Sequence, residues 1–522
     1  MTPEEWIAHD PDPDAVAELS ACTADELAAR FASSLTFGTA GLRGPMRAGP
    51  SGMNLAVVLR ATWALAQVLQ KRGGSAVYVG HDARHGSQEL ARAAAEVLAA
   101  EGFSVTLLPG PLPTPVLAFA VRRTGAVAGV QITASHNPAS DNGYKVYLDG
   151  GMQIVSPTDR EIEAAIAAAP HADQIPRTPV APDSSGDLVE QYVTRAAAVR
   201  RGSGTVRVAL TPLHGVGGAV AVDALERAGF SDIHTVATQF APDPDFPTVT
   251  FPNPEEPGVT DALLDLAARV DADVAVALDP DADRCAIGVP FDSRWRMLSG
   301  DETGWLLGDY VLKHAASSAT VASTVVSSRM LAAIAAHYGV RHVETLTGFK
   351  WLARASEDDL VYAYEEAIGH CVDPAAVRDK DGISAAVLCC DLLATAKSAD
   401  RTIPDLLDDL ARRHGVHVTT AVTVRTDDAT AVMQRLRDDP PTELAGIDVT
   451  VSERADVLIM GGQHVRVAVR PSGTEPKVKA YIEVAQPPHD DLVAARRAAH
   501  DLSGRLRRDV VTLLRSPLSY VE

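Results

Sequence analysis

Three loops of this chain carry residue types able to do chemistry together. In Thr133-Ala134-Ser135-His136-Asn137-Pro138 a hydroxyl lies between the apolar stretch 127–133 and a turn set by Asn-Pro. In Asp279-Pro280-Asp281-Ala282-Asp283-Arg284 three carboxylates alternate directly after the apolar run 274–278. In Arg470-Pro471-Ser472-Gly473-Thr474-Glu475-Pro476-Lys477 two hydroxyls flank a glycine between basic residues. These are a nucleophilic hydroxyl, a site for a hard divalent cation and a cradle for phosphate. Together they point to phosphoryl transfer through a protein-bound phosphate.

Each loop has a plainer alternative when taken alone. Ser135 fits a turn residue or helix cap, the aspartates fit an acidic turn, and Ser472-Gly473-Thr474 fits a hairpin turn. Converging carboxylates repel one another unless a cation neutralises them, and oxygen ligands of this kind suit Mg²⁺. An EF-hand fits poorly, because its glycine and terminal glutamate are missing at the required offsets. His136 can assist proton movement, but neighbouring side chains diverge, so Ser135 and His136 are not read as a dyad. No Gly-x-Ser-x-Gly elbow and no Gly-x-x-x-x-Gly-Lys-[Ser/Thr] loop occurs, which argues against a serine hydrolase and an ATP-dependent kinase. The backbone N–H groups around Gly473 can form an anion nest, with Arg470 and Lys477 adding charge. The pair Glu365-Glu366 can accept from vicinal sugar hydroxyls, and Lys380 can meet a phosphate. Either stretch fits a solvated loop as well.

The elements that must position these loops alternate. Strands are expected at 76–79, 104–108, 127–133, 206–210, 274–278, 320–326 and 361–364. Helices are expected at 14–34, 53–72 and 87–101, and after Gly217-Gly218. This is the pattern of α/β units with mainly parallel sheets. A proline-rich crossing at 170–186 marks a domain boundary. From about residue 416 the pattern changes to strands at 465–469 and 478–484 and a closing helix at 488–514. No tandem repeat is visible.

The chain has 522 residues, 46% of them hydrophobic, and a formal net charge of −21. That length predicts three or four domains. The acidity speaks against nucleic-acid and membrane-surface binding, though not against an anionic substrate in a local basic pocket. None of the five cysteines is in a Cys-x-x-Cys spacing, as expected for a reduced, cytoplasmic protein. The start of the chain lacks signal-peptide character, and no apolar stretch is long enough to span a membrane.

The motifs in this order resemble the α-D-phosphohexomutase superfamily of phosphoglucomutases, phosphomannomutases and phosphopentomutases. The resemblance runs through Phe37-Gly38-Thr39-Ala40-Gly41-Leu42-Arg43-Gly44, the Ser135 and Asp279 loops, Gly348-Phe349-Lys350-Trp351, the stretch from Glu365 to His370, Asp379-Lys380-Asp381-Gly382 and the Arg470 loop. With Asp141-Asn142-Gly143-Tyr144-Lys145, these forms look most like the phosphoglucomutase-2/phosphopentomutase-like branch. The resemblance implies four domains around a central cleft, at 1–185, 186–298, 299–415 and 416–522. Three would be α/β with mixed sheets, and the last a TATA-box-binding-protein-like α+β domain.

The resemblance also implies roles. Ser135 would be the phosphoserine, and Asp279, Asp281 and Asp283 would bind Mg²⁺ with it. Arg43 and Lys145 would assist proton transfer, with His136 beside them; as general base, Lys145 would need a depressed pKa, which the positive charge of Mg²⁺ and Arg43 would supply. Arg284, Gly348, Glu365, Ala367, Lys380, Arg470, Ser472, Gly473, Thr474 and Lys477 would contact substrate. The substrate would be a sugar phosphate, first of all glucose 1-phosphate, with mannose or pentose phosphates as alternatives. A sugar 1,6-bisphosphate would be the intermediate, and the enzyme a monomer or weak homodimer. A phosphatase and a non-catalytic sugar-phosphate-binding protein are the competing classes. The family often carries Glu-x-Ser where this chain has Glu365-Glu366-Ala367, so Ala367 removes one hydroxyl from the sugar loop.

Overall fold

The strands that deliver the chemical loops are apolar at nearly every position because they lie inside sheets covered on both faces. Ala128–Ile132 and Val274–Leu278 are buried along their whole length. The computed structural model describes the chain apart from residues 39–40, 149, 185, 292–293, 427, 473–476 and 516–522. It divides into two units: Met1–Leu298 with Ala367–Ser398, and Ser299–Glu366 with Ala399–Glu522.

The first unit holds two mixed sheets. One runs in the order Leu42–Pro45, Asp141–Leu148, Ala128–Ile132, Ala76–His81, Ser104–Pro111. Its last three strands are parallel, since helices Ser87–Ala100 and Thr114–Thr124 provide the crossovers. The short link after Ile132 lets Asp141–Leu148 return antiparallel. The other sheet runs Arg294–Met297, Cys285–Phe291, Val274–Leu278, Val208–Thr211, Ile233–Thr235. Again the inner strands are parallel, and the strand after the site loop is antiparallel. In both sheets the site loop leaves the carboxyl end of a buried parallel strand, where open α/β sheets place their ligands.

Helix Leu55–Gln70 starts where Asn54 Oδ1 accepts from Val57 N at 3.0 Å. The expected helix over 14–34 is instead two helices, Pro13–Ala21 and Ala24–Phe31. Cys22 closes the first in extended conformation, and a Thr23–Glu26 capping box opens the second. Local capping outcompetes continuous periodicity there. Helix Gly382–Ser398 is buried on almost every side, because it packs against helices Asp187–Ala197 and Gly218–Arg227 and two strands of the second sheet. Residues 367–398 therefore pack with the first unit although they fall inside the 299–415 stretch.

The second unit holds three parallel strands in the order Arg341–Thr345, Thr320–Thr324, Leu360–Glu365. It also holds a six-stranded antiparallel sheet, from Val416–Arg425 through Lys477–Gln486 to Glu443–Leu444. Helix Leu492–Arg515 covers that sheet with Ala499, Leu506 and Val510, all fully buried. Helix segregated from antiparallel strands is the expected α+β arrangement. Among the described residues, no single helix is long and apolar enough to cross a membrane. Cys285, Cys371, Cys389 and Cys390 are buried free thiols.

Within the second unit, the buried Asp301 carboxylate accepts from Ser328 N at 2.8 Å and from the Tyr364 hydroxyl at 2.9 Å. Burial, with Glu366 and Glu483 nearby, pushes it up to about 7. Because the folded value exceeds the unfolded one, this group favours the fold in acid, and that contribution is lost as pH rises towards 7. Asp301→Asn keeps an acceptor without the charge. It should be more stable than the parent at about pH 8, by roughly 2–4 kcal/mol, and the gap should close towards about pH 4. Denaturant titrations at both pH values check this; a gap independent of pH would contradict it.

Candidate active site

Ser135 occupies the left-handed region, with φ 53°. A non-glycine residue there costs roughly 1–3 kcal/mol and needs support. Its own N–H donates to Thr133 Oγ1 at 2.9 Å. Its Oγ donates to Asp279 Oδ2 at 3.0 Å. Ser135 is 3% exposed, and Asp279, Asp281 and Asp283 are completely buried.

The aspartates sit in the tight connection between Val274–Leu278 and Cys285–Phe291, so they lie on a loop and not along one strand face. Arg284 N donates to Asp279 Oδ1 at 3.0 Å, and Ala282 N to Asp279 O at 2.9 Å. These bonds fold the loop inward. One oxygen of each carboxylate lies within 4.8 Å of the others.

Cations close around this triad. Lys145 Nζ is 2.6 Å from Asp281 Oδ2 and 2.9 Å from Asp283 Oδ2. Lys380 Nζ is 3.3 Å from Asp283 Oδ2. Thr114 Oγ1 donates to Asp281 Oδ2 at 2.6 Å. Lys145 comes from Asp141–Leu148 and Arg43 from the neighbouring Leu42–Pro45, where Arg43 stands opposite Gly143. Any Cβ at Gly143 would lie 2.5 Å from Thr133 O, so only glycine lets these strands approach the Ser135 loop. Arg43 Nη1 donates to Asn137 Oδ1 at 3.1 Å.

The electrostatics follow from this packing. Burial raises the Asp279 carboxyl well above its ordinary value, with Asp281 and Asp283 adding repulsion. Burial pushes Asp281 and Asp283 the same way, but the Lys145 ammonium and the other donors outweigh it and hold both below the ordinary value. For Lys145, burial favours the neutral amine, yet Asp281 and Asp283 prevail and its pKa is raised. His136 Nδ1 lies 3.4 Å from Ser135 Oγ, long for a hydrogen bond. Burial, Arg284 and Arg43 push the imidazole well below its ordinary value, so it is neutral near pH 7.

The residues fit a hard divalent cation. Asp281 Oδ1 and Asp283 Oδ1 are buried acceptors with no hydrogen-bond partner among the described residues. Oxygens alone make up the donor set, and a phosphate on Ser135 would add another. Asp279, Asp281, Asp283 and the Ser135 phosphate are the groups that would hold Mg²⁺.

Other expected contacts fall into two sets. Arg284, Ala367 and Lys380 belong to the first unit, where Arg284 Nη1 donates to Ala367 O at 2.9 Å. Gly348, Glu365, Arg470, Ser472 and Lys477 belong to the second. Gly348 has φ 106°, a conformation that favours glycine, just before the short helix Phe349–Leu352. Glu366 is held by Thr324 Oγ1 and Ser327 Oγ, both at 3.1 Å. Arg470 faces Lys479 across the hairpin, and Ser472 N donates to Lys477 O at 2.9 Å. Gly473 and Thr474 lie outside the described residues.

The sequence reading missed Thr114, and it gave no role to Asp379, whose Oδ2 accepts from the Tyr147 hydroxyl at 2.9 Å and from Gln153 at 2.8 Å. It also missed Arg84, whose Nη2 donates to Ser135 O at 2.7 Å. Thr114 sits at a proline-rich helix start and reads there as an ordinary first-turn residue. The Asp82-x-Arg84 pair after a strand was the only available signal for Arg84.

The chain is similar to known proteins along most of its length. Models of phosphoglucomutase/phosphomannomutase alpha/beta/alpha domains I, II and III match residues 34–173, 189–290 and 299–414, and the C-terminal domain model matches 422–500. A Haemophilus influenzae protein named probable phosphomannomutase is 40% identical over 83% of this chain and 93% of its own length. A Mus musculus phosphopentomutase is 32% identical over 93% of this chain and 90% of its own. The crystal structure of a phosphoglucomutase/phosphomannomutase family protein from Burkholderia thailandensis shares the fold. Its TM-score is 0.73 at 21% identity, over 92% of this chain and 98% of that one. With every domain of the family matched in order, the chain belongs to the phosphoglucomutase/phosphomannomutase family and is a phosphotransferase enzyme.

Proposed function

We propose that this enzyme interconverts sugar 1-phosphates and 6-phosphates through a phosphoserine at Ser135, with glucose 1-phosphate as the first substrate. The observation that carries this reading is the Ser135 hydroxyl, 3.0 Å from Asp279 inside a buried carboxylate triad ringed by cations. Phospho-Ser135 transfers its phosphoryl group to the free hydroxyl of the sugar monophosphate. The Oγ–P bond breaks as the sugar O–P bond forms, and the hydroxyl proton passes to a base. The sugar 1,6-bisphosphate then turns and returns its other phosphate to Ser135. Asp279, Asp281 and Asp283 are the residues that would hold Mg²⁺, whose positive charge would stabilise the transferring phosphoryl group.

Arg43 and Lys145 are assigned to the proton transfer, with His136 as a neutral neighbour. Lys145 can take that proton only as the neutral amine, so its ammonium must first give up a proton, which the positive charge of Mg²⁺ and of Arg43 would favour. Arg284 and Lys380 lend charge on the first unit, and Gly348, Glu365 and Ala367 belong to the sugar loops. Arg470, Ser472, Gly473, Thr474 and Lys477 hold the phosphate that is not reacting.

A second reading makes mannose or pentose phosphate the preferred substrate. It is favoured by Ala367, which lacks the hydroxyl common in the sugar loop, and by the names of the relatives. Rates with glucose, mannose and ribose phosphates, using labelled phosphate, decide the sugar. They also separate transfer to sugar from release as inorganic phosphate; release alone would make the enzyme a phosphatase and sink the proposal.

Two substitutions test the division of labour. Arg470→Ala removes a charge-assisted contact contributing roughly 1.5–3 kcal/mol, so KM should rise about ten- to a hundredfold, alike for every sugar. Glu365→Gln should instead change the ratio of rates between epimers, because a carboxylate accepts from hydroxyls whose orientation differs between them. Steady-state kinetics on two epimeric sugar phosphates reads both. The opposite pattern would reverse the assignment.

A further inference from the structure

We infer that Arg84 is a positioning residue that holds the Ser135 loop in its reactive shape; the inference rests on the phosphoserine reading above. Arg84 lies between strand Ala76–His81 and helix Ser87–Ala100 and is 4% exposed. Its guanidinium donates to four main-chain carbonyls of the nucleophile loop. Nη2 reaches Ser135 O at 2.7 Å and Asn137 O at 2.5 Å. Nη1 reaches Pro138 O at 2.6 Å and Asp141 O at 3.1 Å. A planar fork of five N–H donors can serve carbonyls pointing inward from several directions, and an ammonium cannot reproduce that.

The guanidinium is itself fixed from behind. Asp82 Oδ1 accepts from Arg84 N at 2.9 Å and from Ser87 Oγ at 2.6 Å. Asp82 Oδ2 pairs with Arg84 Nε at 3.3 Å. Phe246 covers the guanidinium with its ring centroid 5.0 Å from Cζ, and is 3% exposed. Phe246 belongs to the irregular stretch 241–260 that follows helix Ala237–Phe240. Irregular segments of that length inside a compact unit commonly serve function. The same stretch sets Phe251 6.4 Å from the His136 ring and Asp245 2.7 Å from His85.

The consequence concerns geometry. Ser135 stands at φ 53°, which must be held by its surroundings. Oriented carbonyls at Ser135 and Asn137 fix the peptide planes around it, and hence the direction of Oγ. Misplacing a reacting atom by about 1 Å costs on the order of a hundredfold in rate. Loss of Arg84 should therefore slow phosphoryl transfer with little effect on capture of the sugar phosphate.

The test uses full-length wild type, Arg84→Lys and Arg84→Ala, each loaded with glucose 1,6-bisphosphate. Intact mass reports phosphate on Ser135, and single-turnover quench reports its transfer to glucose 1-phosphate. In Arg84→Lys the transfer rate and kcat should fall about a hundredfold, with KM within about threefold of wild type. In Arg84→Ala, methylguanidine should restore part of the rate and methylammonium should not. If Arg84→Ala does not fold, the Arg84→Lys measurements decide. A wild-type transfer rate in Arg84→Lys, or a rise in KM at unchanged kcat, overturns the inference. Absence of phosphate on Ser135 in the wild-type enzyme instead overturns the phosphoserine reading.

Discussion

Ser135→Ala should lower sugar-phosphate interconversion by roughly 10⁴-fold or more, as removal of a covalent nucleophile does elsewhere. The fold should survive. The backbone at φ 53° suits alanine no worse than serine, and the hydroxyl's described donation is the 3.0 Å bond to Asp279. Asp279 already sits well above its ordinary pKa through burial and the neighbouring carboxylates, so losing this donor need not leave a buried charge uncompensated. A coupled assay and a thermal melt make the comparison, and peptide mass spectrometry should find phosphate on this peptide in wild type alone. Full turnover by the variant would rule out the covalent route. A slow residue of activity would not, because the remaining cations and hydroxyl groups still bind substrate.

The same residues show how far a sequence can be read. Val274–Leu278 was legible to the residue, since five consecutive apolar positions followed by Asp-Pro leave a buried strand and an abrupt turn as the simplest solution. Ser135 and the three aspartates were legible as motif positions. Their chemistry was less so. The raised Lys145 pKa depends on Asp281 and Asp283, more than 130 residues away in the chain, and no local pattern encodes that pairing. Arg84 is an isolated cation in a loop, and its four carbonyl partners become neighbours only when two crossovers bring strands Ala76–His81 and Ala128–Ile132 side by side. The split of the N-terminal helix at Cys22 and Thr23 is a local signal that periodicity masked: Thr-x-x-Glu starts a helix wherever it stands. The closing helix, expected at 488–514, was found at Leu492–Arg515, because a long amphipathic period does not depend on distant partners.

Asp281→Asn should abolish the stabilisation of the protein by Mg²⁺ while leaving the metal-free protein about as stable as before. Two opposing terms act on the metal-free side. The substitution removes a carboxylate that repels Asp279 and Asp283, whose oxygens lie within 4.8 Å. It also removes one of the two anionic partners of Lys145, at 2.6 Å, and keeps the other, Asp283, at 2.9 Å. An amide oxygen can still accept from Thr114 Oγ1, which now donates at 2.6 Å. No buried charge is left alone, so the large cost of a broken buried pair is avoided. On the metal-bound side nothing compensates, because a neutral amide replaces one of three anionic ligands and Mg²⁺ is held by few protein groups. At Mg²⁺ a hundredfold above its Kd the wild-type protein should gain about 2.7 kcal/mol, seen as a rise in Tm. The variant should show little of that rise at the same concentration, and its activity should fall by about a hundredfold or more. Melting curves with and without Mg²⁺, after treatment with a chelator, read the metal directly and need no turnover. An equal rise in Tm for both proteins would remove Asp281 from the cation site, whatever its effect on activity.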